Sequence, residues 1–229
     1  MWDLPTRVFH WTLVTLIICA WVSNRYGEAL GDPTLRWHRW NGLAILVLIV
    51  FRVLWGVVGS STSRFSNFVR WPWVAAGYGL DLLRGRDRHF LGHNPLGTWM
   101  ILALLAMVAL QATLGLFTIN EDNGGLAYGP LQRIASEPWV AFLSKWHVRI
   151  FYYGILALVA AHITANVLYG VVKQDPLIRA MITGRKPRMA YEDEAEAKIV
   201  ARPIPRALVC LVVAAALVFG TIIALGGKL

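Results

Sequence analysis

Six histidines occur in this 229-residue chain, and four of them, His10, His38, His147 and His162, lie inside long apolar runs. An imidazole in such a run is costly to bury, so a functional role is the default reading. His147 and His162 share one run, Ser144 to Gly170. On a continuous α-helix their fifteen-residue spacing gives a rise of about 22 Å and a rotation about 60° from eclipsed. Both can then face the same neighbours at two depths. Imidazole suits iron, and two histidines on opposite faces of a flat macrocycle fill the axial positions of a haem, an arrangement that favours electron transfer.

The elements that must position these side chains follow from composition. The chain is 57% hydrophobic and 15% charged, against a soluble average of about 25% charged. Five runs are long enough to cross a hydrocarbon layer about 30 Å thick: Val8 to Ser23, His38 to Val58, Gly97 to Ile119, Trp146 to Val172 and Ala207 to Leu225. The expected fold is all-α, an integral membrane helical bundle in which four helices form a di-haem core and a fifth C-terminal transmembrane helix follows. The domains are expected at 1–188 for the di-haem part and 189–229 for a cytoplasmic linker and the last span. The first run contains His10 and Trp11 and lacks a small-residue cleavage site, so the N-terminus is expected to be retained.

A net charge of +9 raises the question of nucleic acid, but the basic residues sort by membrane side instead. With Met1 in the cytoplasm, fifteen of the twenty-two lysines and arginines fall on the cytoplasmic side and seven on the other. The positive-inside rule therefore puts the N-terminus in the cytoplasm and the C-terminus outside. This topology pairs the histidines by depth: His38 with His147 near the outer surface, His10 with His162 nearer the inner one. Haem propionates need cations; Arg36, Arg39 and Arg149 are near the outer pair, and Arg7, Arg52 and Arg64 near the inner pair. Gly42, one turn below His38, would let a macrocycle approach. Neither Cys19 nor Cys210 belongs to a Cys-x-x-Cys-His sequence, which excludes covalent haem attachment; both read as packing residues.

The connecting segments carry weaker signals. Asp3 and Pro5 read as the start of span one, and Asn94-Pro95 as the start of span three. A surface helix around Trp73 to Leu83 is expected along the membrane surface with its tryptophans at headgroup level, and His89 and His93 read as solvated or interfacial loop residues, with a quinone or haem-propionate contact as the functional alternative. Glu121, Asp122 and Glu137 give the outer loop Asn120 to Leu143 an acidic face that suits a redox partner. Gln174-Asp175-Pro176 opens a short helix ending near Gly184, followed by a basic patch from Arg185 to Arg188, which suits anionic lipid headgroups, and an acidic one from Glu192 to Glu196. Span five carries no charge or histidine and reads as a lipid-facing anchor or subunit contact.

The opening Trp2-Asp3-Leu4-Pro5-Thr6-Arg7-Val8-Phe9-His10-Trp11, the start of span two at His38-Arg39-Trp40-Asn41-Gly42, the loop Gly92-His93-Asn94-Pro95-Leu96-Gly97 and the run Ile182-Thr183-Gly184-Arg185-Lys186 resemble the prokaryotic cytochrome b561 family. That family is similar to the b-type cytochrome subunits of nickel-iron hydrogenases and formate dehydrogenases. The resemblance covers Met1 to Arg188 and implies a four-helix core with two haem b groups. It also implies electron exchange between the quinone pool and a periplasmic redox protein, from the bacterial inner membrane. On the family pattern the ligands match His10, His38, His147 and His162. Span five departs from the minimal four-helix members.

The leading expectation is therefore an electron conduit between quinone and a periplasmic partner, a c-type cytochrome or a hydrogenase-like subunit, acting as or within a quinone oxidoreductase. The alternatives are a self-contained superoxide:quinone oxidoreductase, with Arg36, Arg39 and Arg149 as its cationic funnel, and a haem-free membrane scaffold. His93, Asn94 and Gln111 are candidate quinone contacts.

Overall fold

The structure, a computed structural model, describes residues 2–86, 88–120, 124–187, 189–195 and 197–229. Glu121, Asp122, Arg188 and Glu196, named above in the charged loops, lie outside the described residues.

Helix α1 (Leu4–Arg25) starts as expected. The Asp3 carboxylate accepts the Thr6 N–H at 3.0 Å and its hydroxyl at 2.6 Å, while Pro5 supplies the fixed φ of a first turn. Helix α2 (Arg36–Val58) opens on Asp32, whose carboxylate accepts the N–H groups of Arg36 at 3.0 Å and Trp37 at 2.7 Å. Burial pushes the Asp32 carboxyl up, but these two donors, the Thr34 hydroxyl and the Arg36 charge outweigh it and hold the group below its usual range. Beyond the far end of α2, the Arg64 guanidinium donates to the Gly59 carbonyl at 2.7 Å. That bond commits Arg64 to closing the helix.

Two shorter helices follow, α3 (Phe65–Phe68) and α4 (Pro72–Leu83). Trp71 and Trp73 stack at the start of α4 and remain largely exposed, as expected of indoles at headgroup level. Helix α5 (Pro95–Gly115) begins where Asn94 accepts the Gly97 N–H at 2.7 Å. A small antiparallel pair then forms from β1 (Ile119–Asn120) and β2 (Ala127–Tyr128). Strands of two residues carry no alternation for a sequence reading to detect.

The fourth apolar element differs most from expectation. Helix α6 (Glu137–Arg149), a π turn (Ile150–Ile155) and α7 (Leu156–Val172) run on without a break as a span of 36 residues. It starts at Glu137 rather than Trp146, because Pro138 seeds a first turn within a stretch whose polarity reads as loop. The outer loop is correspondingly shorter than Asn120 to Leu143. A π turn absorbs one extra residue and re-phases the faces on either side by about 100°. The simple α-helical spacing of His147 and His162 therefore does not carry across it.

Helix α8 (Leu177–Thr183) ends at Gly184, which adopts φ +74°. Helix α9 (Pro203–Ala224) buries Ala214, Val218 and Ile222, while Leu208, Val212 and Ile223 remain exposed. The last span thus packs one face within its own chain and is not purely a lipid-facing anchor. Helices α1, α2, α5, the α6–α7 element and α9 are long and apolar enough to cross a membrane.

The chain divides into two compact units. The first comprises Met1–Phe9, Arg52–Leu105 and Ala157–Cys210; its most buried side chains include Trp55, Tyr78, Ser63 and Thr98. The second comprises His10–Phe51, Ala106–Leu156 and Leu211–Leu229, with Leu43, Ile155 and Ile222 among its core residues.

Candidate functional site

Within the second unit, α2 and α6 bring His38 and His147 together. Their ring centroids are 6.1 Å apart and the ring planes are perpendicular, at 89°. Each ring is held by a backbone carbonyl: His38 Nδ1–H donates to Ala20 O at 2.8 Å, and His147 Nδ1–H donates to Gln111 O at 3.0 Å. Because a carbonyl only accepts, both rings are fixed in the tautomer that leaves the Nε2 lone pair available. Such a bond on the far nitrogen is how proteins orient metal-binding imidazoles.

The ring spacing is what two imidazoles sharing one iron would need. With both Nε2 atoms directed at the metal, a metal–nitrogen bond of about 2 Å on each side plus about 1.1 Å from ring nitrogen to ring centre would put the centroids about 6.2 Å apart. Gly115, at the end of α5, sits against His147, where an added Cβ would lie 3.0 Å from Cε1. Beside Gly42 nothing lies within 4 Å of an added Cβ, so the open space expected below His38 is present. One group has to shift for a ligand to reach His147: the Gln111 amide nitrogen is 3.3 Å from Nε2, and its Oε1 is buried without a hydrogen bond among the described residues. Among the described residues no group of three or more His, Cys, Asp or Glu could hold a bare metal ion. A two-histidine site suits a metal that arrives with its own equatorial donors.

The other two span histidines are held differently. His10, in the second unit, meets Trp11 edge to face with centroids 5.0 Å apart. His162, in the first unit, takes a contact from its own helix, where Asn166 Nδ2 lies 3.3 Å from His162 Nε2 and donates to the His162 carbonyl at 2.7 Å.

With Arg64 committed to the end of α2, the other five candidate arginines separate clearly. Arg52 is 3% exposed, stacks over Phe65 at 4.8 Å and Phe68 at 6.0 Å, and its Nη1 has no hydrogen-bond partner among the described residues. Arg7 donates from Nη1 to the Ile182 carbonyl at 2.6 Å, and Gly184 fits against its guanidinium, where a Cβ would lie 2.9 Å from Cζ. Arg36 and Arg149 are exposed and lie over Trp37 and Trp146, whereas half-buried Arg39 lies over Tyr128. Arg149 lines a groove of about 500 Å³ with Met107, Trp146, Ile150, Tyr153 and Gly154.

The three candidate quinone contacts each have other partners within their own units. Asn94 caps α5, and Gln111 serves His147. His93 is not a solvated loop residue: its ring packs against Trp2 at 5.4 Å and Phe68 at 4.9 Å. Nearby in the first unit Lys186 is buried, pairing with Asp175 at 3.0 Å and donating to the Phe90 carbonyl at 2.7 Å. Burial pushes its ammonium below the usual range, against the pull of Asp175. Sequence reasoning missed the Ala20 and Gln111 carbonyls, since a backbone acceptor leaves no mark in residue identity. Gly115 was detectable as a glycine closing an apolar helix.

The comparisons with known proteins agree with this architecture. The prokaryotic cytochrome b561 profile matches residues 1–184. The chain is 22% identical to the probable Ni/Fe-hydrogenase 1 B-type cytochrome subunit of Escherichia coli strain K12, over 80% of this chain and 88% of that one. It is 21% identical to the probable Ni/Fe-hydrogenase B-type cytochrome subunit of Rhizobium leguminosarum bv. viciae, over 84% and 90% of the two chains. The counterpart from Bradyrhizobium diazoefficiens is 23% identical over 81% and 85%. No solved structure matches. With five spans and a family profile covering most of its length, the chain is a multi-pass membrane protein and belongs to the prokaryotic cytochrome b561 family.

Proposed function

We propose that the protein is a transmembrane cytochrome with two haem b groups that passes electrons between the quinone pool and a redox partner on the opposite side. As a b-type cytochrome the chain binds haem b and takes part in electron transfer; the number of haems, their ligands and the two electron carriers are our reading. One observation carries it: the rings of His38 and His147 lie at a spacing that suits one iron, with both Nδ1–H groups tied to carbonyls so that Nε2 is the acceptor nitrogen, the Gln111 amide beside His147 Nε2 being the group that has to move aside. The sequence topology supplies His10 and His162 as the second pair, within a di-haem region spanning residues 1–188.

Haem b, when bound, supplies an iron that gains and loses one electron. The residues of this chain do the rest. His38 and His147 would hold one of the two groups, and the Ala20 and Gln111 carbonyls keep both imidazoles from turning. Arg52, desolvated and with a guanidinium nitrogen still able to donate, is the best placed of the arginines to receive a carboxylate such as a propionate. Arg39 is the outer counterpart, with Arg7, Arg36 and Arg149 contributing charge at the rims.

The basic residues support an inner-membrane orientation with the N-terminus cytoplasmic and the C-terminus periplasmic. Three relatives are named as hydrogenase cytochrome subunits, which supports a periplasmic hydrogenase-like or c-type cytochrome partner. Pyridine-haemochrome quantification of the purified protein tests the reading. It predicts two non-covalent haem b groups per chain, reduced by a short-tail quinol; a single haem, or none, overturns it.

A further inference from the structure

Tyr78 of α4 is 1% exposed, and its hydroxyl lies 2.9 Å from that of Tyr169 of α7. Two phenols bring two hydroxyl hydrogens, and their mutual bond uses one, so the pair can accept a hydrogen at one end and donate one at the other. Tyr169 also belongs to a polar stripe. His162, Asn166, Tyr169 and Lys173 follow at intervals of four, three and four residues, which places them along one helix face. At the top of the stripe the Asn166 amide touches His162 Nε2. At the bottom, Lys173 Nζ lies 5.7 Å from the Tyr78 ring and 5.5 Å from the Tyr169 ring, and Arg88 covers Tyr78 at 5.6 Å. A tie that only anchored α4 would not need a polar continuation toward a ligand histidine.

We propose that the Tyr78–Tyr169 hydroxyl pair relays the protons of the quinone half-reaction between the inner aqueous surface at Lys173 and the His162 face of α7. The proposal rests on the quinone reading given above. Reducing a quinone to a quinol takes two electrons, from the redox partner, and two protons, from the aqueous phase. For each proton, one hydroxyl accepts a hydrogen on its oxygen and passes its own along the 2.9 Å bond. The second hydroxyl releases its hydrogen toward the quinone oxygen. Both phenols end as they began, and quinol oxidation runs the same path backwards. Burial, then the bond to Tyr169, pushes the Tyr78 phenol above its usual range, so it keeps its hydrogen. The charged groups facing the pair are Lys173, Arg88, Glu192 and Asp175.

The test uses the haem-loaded protein in lipid nanodiscs, with a short-tail ubiquinol as reductant and stopped-flow detection of the haem bands. Tyr78→Phe and Tyr169→Phe should each slow reduction about 100-fold. The double variant should be no slower than either single one, and haem content and thermal midpoint should match the wild type. Redox-difference infrared spectra of the wild type should contain a deuterium-sensitive tyrosine band that Tyr169→Phe removes. Wild-type rates in both variants, or no tyrosine band in the wild type, overturn the relay and leave the quinone reading standing. A wild type that dithionite reduces but quinol does not overturns both.

Discussion

His147 and His162 sit on one unbroken helical element and each has a side-chain amide 3.3 Å from Nε2, yet among the described residues only His147 is also tied through Nδ1. His147 is tied through Nδ1 to a carbonyl of a neighbouring helix, faces His38 at 6.1 Å and has Gly115 against its ring. His162 is contacted at Nε2 by Asn166, one turn along its own helix. The Nδ1 bond fixes the tautomer and ring orientation of His147 before any ligand arrives, leaving only the Gln111 amide to move aside; at His162 the Asn166 amide can rotate away, but no such bond orients the ring among the described residues. In the proposed assignment the His38–His147 station is therefore the more preorganised of the two, and the His162 station has to be completed by what binds there.

The largest effect is expected from His38 and His147, the proposed ligands of the outer haem. His38→Ala and His147→Ala should each lower the haem content from two per chain to one, read by pyridine haemochrome, with the fold retained by circular dichroism. Next comes Gly115→Val, which forces methyl groups into His147 at a site where Cβ alone lies 3.0 Å away. Overpacking of this kind costs about 1–3 kcal/mol, so the outer haem should be lost about tenfold or more readily in a haem-transfer assay, with the inner one unaffected.

Asp32→Ala should act more weakly on the same station, by loosening the start of α2 that carries His38. The loss of a cap costs about 1 kcal/mol and would appear as a lower thermal midpoint. Its pH dependence has a definite sign. The Asp32 carboxyl titrates below its usual 3.8 in the folded chain, so its contribution is fully present above that value and is lost as pH falls through the lower folded one. The gap between wild type and Asp32→Ala should therefore close below about pH 4. The smallest effect is expected at the inner station, where Asn166→Leu removes one exchangeable contact worth about 0.5–1.5 kcal/mol. Both haems should remain, with a small shift in the potential of one.

Much of this arrangement was legible in the residues. Long apolar runs carry their own signal, and helix starts at Asp3 and Asn94 follow from side chains that can accept a backbone N–H. The four histidines stand out because an imidazole is rare in such runs. The early start of the fourth span was hidden, since Glu137, Ser144 and Lys145 make its first turns polar while Pro138 still seeds a helix. The π turn at Ile150–Ile155 was equally hidden, because it is a property of backbone bonding with no residue signature. The carbonyls that hold His38 and His147 escaped for the same reason. Among the arginines, type and position were legible but burial was not: Arg52 lies inside its unit, whereas Arg36 and Arg149 lie on the surface.

The assignment of His38 and His147 to one iron is tested most directly by redox titration of His38→Ala and His147→Ala side by side, following the visible bands. If both histidines hold the same haem, each variant retains one haem, and the surviving midpoint potential is the same in the two. Two different surviving potentials, or two haems persisting in either variant, would contradict the pairing.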